Sequence, residues 1–215
     1  MDSWILIPCQ RSRAEILLQL LKSLDHPSDR VVVVATQPDP LTKSDLQHRV
    51  GHVVTCDFTD HHISRWWNAG LNYIAERAQT HHEVLAVSSD WTGTPYSVAM
   101  LAVFLRRHNL AMVGPNPHSS EARFFDCTTA PHVHNRVPGG CWMLRGETGI
   151  RVDEAYRWWY SDDDLDFRAR MYSGTGILPD TGFVGGPDTP LSDEKQQWAK
   201  EDRTRFISKW GREPW

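Results

Sequence analysis

The chain has 215 residues, 40% of them hydrophobic, and a formal net charge of −4. That is enough apolar material to pack the core of one domain, so wholesale disorder is excluded, and the mild acidic balance leaves no global footprint for nucleic acid or an anionic membrane surface. The four cysteines, Cys9, Cys56, Cys127 and Cys141, are scattered without a CxxC pair, which argues against a zinc site or a secreted disulfide scaffold.

The start, MDSWILIPCQ, has an acid at position 2 and a proline after a short apolar run, which is not a signal-peptide pattern. The longest strongly apolar run, VAMLAVFL, is too short to span a bilayer, so a cytoplasmic protein is expected. SWILIP reads as a buried strand stopped at Pro8. RAEILLQLLKSL places Ile16, Leu17, Leu20, Leu21 and Leu24 at helical spacing. DRVVVVATQPDP is a second, β-branched strand ended by prolines, TKSDLQHRV a short helix, and HVVTCD a third strand. HISRWWNAGLNYIAERAQT reads as a helix despite Gly70, HEVLAVSSDW as a fourth strand ending in an acid, YSVAMLAVFLRRH as a helix, and LAMVGPN as a strand.

This alternation predicts an α/β fold with a mostly parallel sheet and helices on both faces. Such sheets bind ligands beyond the carboxyl ends of their strands, which draws attention to Cys9–Arg11, Thr36–Asp39, Asp57 and Ser88–Trp91. The second half is less regular. GGCWMLR reads as a strand, and the tail LSDEKQQWAKEDRTRFISKW as a C-terminal helix with Ser192 as its N-cap. In that tail Trp198, Phe206, Ile207 and Trp210 form a rough apolar stripe suited to packing on the domain.

The segment RWWYSDDDLDFRAR holds four aspartates within five positions. Read structurally, Ser161 and Asp164 resemble a capping box, and Asp164/Arg168 and Asp166/Arg170 are acid-before-base pairs one turn apart, each worth about 0.2–0.5 kcal/mol. Asp162 and Asp163 have no such local partner, and Asp162 shares a face with Asp166. Solvation and function both stay open for Asp162 at this level. Asp90, just past the fourth strand, is either a turn aspartate or a ligand for Mg²⁺ or Mn²⁺ bridging a diphosphate. Trp142, Trp158, Trp159 and Tyr160 are read as core packing or as an acceptor platform. The histidine pairs His61/His62, His81/His82 and His132/His134 read first as surface or loop residues, with metal ligation the lesser reading.

Together these segments resemble the inverting, nucleotide-sugar-dependent glycosyltransferases of the GT-A fold, over most of the chain. WILIP followed by a helix is similar to the family's opening; WWNAGL supplies its Asn and Gly as Asn68 and Gly70; SSD matches the strand-ending acidic motif at Asp90. GGCWMLRGETGIRVDEAYRWWYSDDDLDFRAR resembles the family's Gly-Gly strand, its Asp-Glu pair (Asp153, Glu154) and its Glu-Asp-x-Asp-Leu-x-x-Arg motif at Asp162, Asp164, Leu165 and Arg168. Two positions depart from the pattern: Ser88 stands at the first acid of the metal motif and Ser161 at the Glu before the base. The family's late histidine is also missing from GFVGGPD, where Asp188 is the nearest substitute.

The resemblance implies one GT-A domain over 1–215, with a nucleotide-sugar-binding half (1–117), an acceptor and catalytic half (118–191) and a C-terminal helix (192–215). It implies Asp162 as catalytic base and Asp90 as holder of Mn²⁺ or Mg²⁺. Pro8, Arg11, Thr36, Asp39 and Asp57 would meet the donor, as would Arg65, Asn68, Ser89 and Asp90. Gly140, Trp142, Trp159 and Asp163 would meet the acceptor. A UDP-sugar is the favoured donor. The acceptor is open among a glycan, a metabolite, a protein and a hydroxylated nucleobase in DNA. Ser88 and Ser161 keep a nucleotide-sugar binder without turnover as a rival. A nucleotidyltransferase ranks lower, because PCQRSR after the first strand is basic but has no glycine.

Overall fold

The computed structural model describes residues 2–37, 39–47, 49–56, 61–116, 120–130, 132, 134–186 and 192–213. The apolar runs of the first half become strands buried on both faces. β1 (Ser3–Cys9) pairs in parallel with β2 (Val31–Ala35) on one side and with β4 (Glu83–Val87) on the other, and β3 (His52–Thr55) extends the sheet beyond β2. β7 (Cys141–Arg145) runs antiparallel between β4 and β5 (Met112–Pro115). β8 (Thr175–Leu178) lies parallel to β5, and β6 (Arg123–Phe125) closes the edge antiparallel to β8. The order is therefore β3-β2-β1-β4-β7-β5-β8-β6, a mixed, mostly parallel sheet of eight strands. Because β7 inserts between β4 and β5, the two halves of the chain share one sheet.

The two-residue period of the strands sorts the core into two layers. Ile5, Ile7, Val31, Val33, Leu85 and Val87 face α1 (Ala14–Leu24) and α3 (Ser97–Arg107). Trp4, Leu6, Val32, Val34 and Ala86 face α2 (Ile63–Ala75) and α4 (Ser161–Tyr172). Gly70 explains its own place in a helix: a Cβ there would stand 2.0 Å from Leu6 Cδ1, so glycine lets α2 settle onto β1.

The helix expected over TKSDLQHRV is a run of turns instead. Asp45 accepts hydrogen bonds from the Thr42 backbone and hydroxyl at 2.7 Å, and Leu46 N–H donates to Lys43 O at 3.2 Å. Asp45 N–H also donates back to Thr42 Oγ1 at 3.4 Å, the reciprocal pattern of a helix start, but the turns do not propagate, since Leu46 alone does not give a helical apolar face. The capping box at Ser161 is also absent: Ser161 is the first helical residue of α4, and Tyr160 stands at the N-cap with φ 59°, without a side-chain cap bond. The pairs Asp164–Arg168 and Asp166–Arg170 do form.

The terminal helix α5 (Asp193–Trp210) is capped as expected, Ser192 Oγ accepting from Lys195 N–H at 3.3 Å. Phe206 packs with Tyr156 and Phe167 as a third, smaller core. Its firmest tie is polar. The fully buried carboxylate of Asp202 accepts the backbone N–H groups of Arg157, Trp158 and Trp159 at 2.8–3.1 Å and pairs with Arg205 at 2.7 Å. Removing that carboxylate would leave three successive N–H donors short of a partner. Asp202→Ala is expected to cost about 2–4 kcal/mol in urea unfolding, well above a surface substitution.

Candidate active site

The carboxyl ends of β1, β2 and β4 and the start of β7 meet at one edge of the sheet. Strand order reverses direction at β1, where such folds open a crevice. A cleft of about 830 Å³ lies there. Its floor and walls include Pro8, Thr36, Ser89, Asp90, Gly140, Trp142, Trp159, Asp162 and Asp163. Nine of the positions singled out from the sequence, distant along the chain, thus line one cavity. Four others do not line it. Arg11 pairs with Asp39 at 3.0 Å and Asp45 at 3.3 Å, tying the end of β1 to the loop after β2. Asn68 is buried and holds Val152 from both sides, its Nδ2 donating to Val152 O at 2.8 Å and its Oδ1 accepting from Val152 N–H at 2.9 Å. Arg65 faces Glu154 at 3.8 Å. Asp57 and Asp188 lie outside the described residues.

Asp90 stands at the exit of β4, its side chain about one-third exposed and 3.6 Å from Arg13. The bridge Thr92–Val184 brings the chain around Gly185 and Gly186 against it. Among the described residues no three His, Cys, Asp or Glu side chains converge as a metal cage. His132 and His134 are exposed, with ring centres 5.2 Å apart. The single carboxylate fits a Mg²⁺ or Mn²⁺ ion that takes its other oxygens from phosphates and water, the usual manner of phosphate-bridging metals.

Asp162 reaches the same cleft from the first turn of α4. Its carboxylate presses on the chain at Gly139, where a Cβ would lie 2.3 Å from Oδ2, so glycine leaves the room this acid occupies. Arg136 reaches it at 3.9 Å and reaches Asp163 at 2.8 Å. Asp163 is buried. Burial and then the neighbouring Asp162 push its carboxyl up to about 7, against the pull of Arg136. Asp166, fully buried beside Arg170, is also raised by burial.

Sequence reading missed several cleft residues, Arg13, Trp66, Arg136, Gly139 and Lys195, and read His61 first as a surface residue, though it also lines the cleft. Arg13 was visible in QRSR and Gly139 in the glycine pair, but nothing in NRVPGG or SDEKQQ marks Arg136 or Lys195. Two buried polar groups lining the cleft, Thr36 Oγ1 and Trp66 Nε1, have no hydrogen-bond partner among the described residues. Buried polar atoms seldom stay unpaired, so both are candidates for ligand contact.

No protein-family model matches the sequence, and a search of curated proteins found no significant relative. Solved structures do resemble it. S. aureus TarS 1-349 superimposes with a TM-score of 0.64 at 14% identity, over 97% of this chain and 72% of that one. The same fragment in complex with UDP-GlcNAc gives 0.60 at 13% identity, over 89% and 60%. The mannosyltransferase PcManGT from Pyrobaculum calidifontis, in complex with GDP-Man and Mn²⁺, gives 0.61 at 12%, over 91% and 59%.

The raised Asp163 gives a signed prediction. Its folded value lies above its ordinary 3.8, so between about pH 4 and 7 the native state holds a proton that the unfolded chain has released. This contribution to stability is full below that window and is lost as pH rises through it, by on the order of 4 kcal/mol. Asp163→Asn is expected to flatten the fall in urea unfolding measured from pH 4 to 8; an unchanged slope would assign the proton elsewhere. By its sheet order, its crevice and these superpositions, the chain has the GT-A glycosyltransferase fold.

Proposed function

We propose that the protein transfers a single sugar from a nucleotide donor to an acceptor hydroxyl, with inversion at the anomeric carbon. The observation that carries this reading is that Asp90 and Asp162 line one cleft at the switch point of the sheet. The GT-A fold adds support, since its structural neighbours include complexes with UDP-GlcNAc and with GDP-Man and Mn²⁺.

Donor binding falls to the β1/β2/β4 side. The Thr36 hydroxyl, at the end of β2 and unpaired among the described residues, is available to the base or ribose, and Pro8 and Ser89 shape the floor beside it. Asp90 is the protein ligand for Mn²⁺ or Mg²⁺; when bound, the ion would offset the negative charge of the diphosphate leaving group. On the other side, the exposed Trp159 and Gly140 border the space for the acceptor, while Trp142, expected there, packs in the core against Trp67. Broad aromatic faces suit the apolar side of a sugar ring or a base.

Asp162 takes the proton of the acceptor hydroxyl as its oxygen bonds to the anomeric carbon. The glycosidic C–O bond breaks at the same time, and its electron pair leaves with the diphosphate. Attack from the face opposite the leaving group inverts the centre. Arg136 and the absent Cβ of Gly139 hold the base in the cleft. Asp162→Asn is expected to lower transfer by about 10²–10⁴-fold while donor affinity stays within about twofold. The assay is consumption of UDP- and GDP-sugars with Mn²⁺, paired with direct donor titration. Normal turnover by Asp162→Asn would overturn the base assignment. Gly139→Ala is expected to impair transfer in the same assay through displacement of Asp162.

A further inference from the structure

The charged residues lining the cleft are not evenly spread. Toward α4, Arg136 faces the two carboxylates of Asp162 and Asp163. Toward β1 and β4 the balance is reversed: Arg13 and Lys195 line the wall with Asp90. Arg13 is 3.6 Å from Asp90. Lys195 makes no ion pair among the described residues; its Nζ sits 4.2 Å above the ring of Trp158. Burial, followed by repulsion from Arg13, draws the Lys195 ammonium below its ordinary pKa. Asp90 offsets one of these two cations, and the second makes no ion pair among the described residues, so a bound anion would complete the balance. Arg11, the cation nearest in sequence, is occupied by Asp39 and Asp45.

We propose that Arg13 and Lys195 close from two sides on the diphosphate of the nucleotide donor, and that these side chains, more than a divalent ion at Asp90, carry its binding. The inference rests on the donor reading above. A guanidinium offers phosphate a planar fork of donors, and an ammonium offers a compact point charge, so the pair suits a diphosphate better than a single charge would. Lys195 is well placed for this role because its helix is fixed: Asp202, two turns further along α5, is bound to the backbone of residues 157–159, and Trp198 packs on Trp158 with ring centres 6.2 Å apart. The terminal helix thereby completes a site whose other half belongs to the turn after β1.

Titration calorimetry of the full chain with UDP, GDP and dTDP and with the matching nucleosides, in Mn²⁺ and in EDTA, tests the proposal. EDTA is expected to weaken the preferred diphosphate by no more than about threefold, whereas Lys195→Met and Arg13→Gln each weaken it by about tenfold and leave nucleoside binding unchanged. Lys195→Arg should retain binding, and thermal unfolding of each variant checks that the fold persists. If wild type binds a diphosphate and the Met and Gln variants match it, the clamp is overturned and the donor reading stands. Diphosphate binding that vanishes in EDTA has the same consequence. If wild type binds no nucleoside diphosphate in either condition, the donor reading fails and the clamp with it.

Discussion

Much of this cleft depends on one buried carboxylate. Asp202, in the middle of the terminal helix, accepts three consecutive backbone N–H groups from residues 157–159. An anion in such a nest is strongly held, because every donor points at it and water is excluded. The contact fixes the turn that leads through Tyr160, in a left-handed conformation, into α4. Asp162 follows in the first turn of α4, and Trp158 and Trp159 stand on the cleft wall. The same contact sets α5, and with it Lys195. A residue that touches neither edge of the reaction space therefore positions groups on both.

The two ends of the sheet treat charge differently. At the amino end of β4, buried Glu83 pairs with Arg106, which also pairs with Glu147, while Arg145 stands 3.7 Å from Glu147. Two acids and two bases there balance, as a structural ion network must when it is removed from water. At the carboxyl end the pairing is uneven: Arg13 pairs with Asp90 while Lys195 adds a second cation, and Arg136 faces the two carboxylates of Asp162 and Asp163. Burial, and then the second carboxylate of Asp162, raises Asp163, and perturbed groups of this kind cluster at functional sites. Within the proposed reaction the polarity is in the useful sense, with negative charge drawn to the diphosphate side and the proton drawn to the acid side.

The strands and helices of the first half were readable in the sequence because each is a run of one periodicity. VVVV, EVLAV and WILIP bury both faces, and the helical spacing of Leu17, Leu20, Leu21 and Leu24 survives intact in α1. The reading failed at two element starts: Thr42 and Asp45 cap a run of turns that does not propagate into a helix, and the start of α4 carries no side-chain cap bond from Ser161. Asp162 and Asp90 stood out because the family resemblance and their positions at element ends agreed. Arg11 and Arg13 are equivalent in sequence, and only the packing of Asp39 and Asp45 against the former separates them.

By itself the sequence determined the alternating α/β plan and the capped terminal helix, since both are set by residues close together in the chain. The tertiary structure alone decided that β7 inserts between β4 and β5, which carries Gly140 to the exit of β4, where Ser88 N–H donates to its carbonyl at 2.8 Å. It alone decided that Arg136 sits beneath the acids and that Lys195 arrives beside Arg13. The physical reason is range. Periodicity and capping are local terms, whereas the charge around Asp90 and Asp162 is the sum of groups from the turn after β1, the chain before β7, and α5, which no window of sequence brings together.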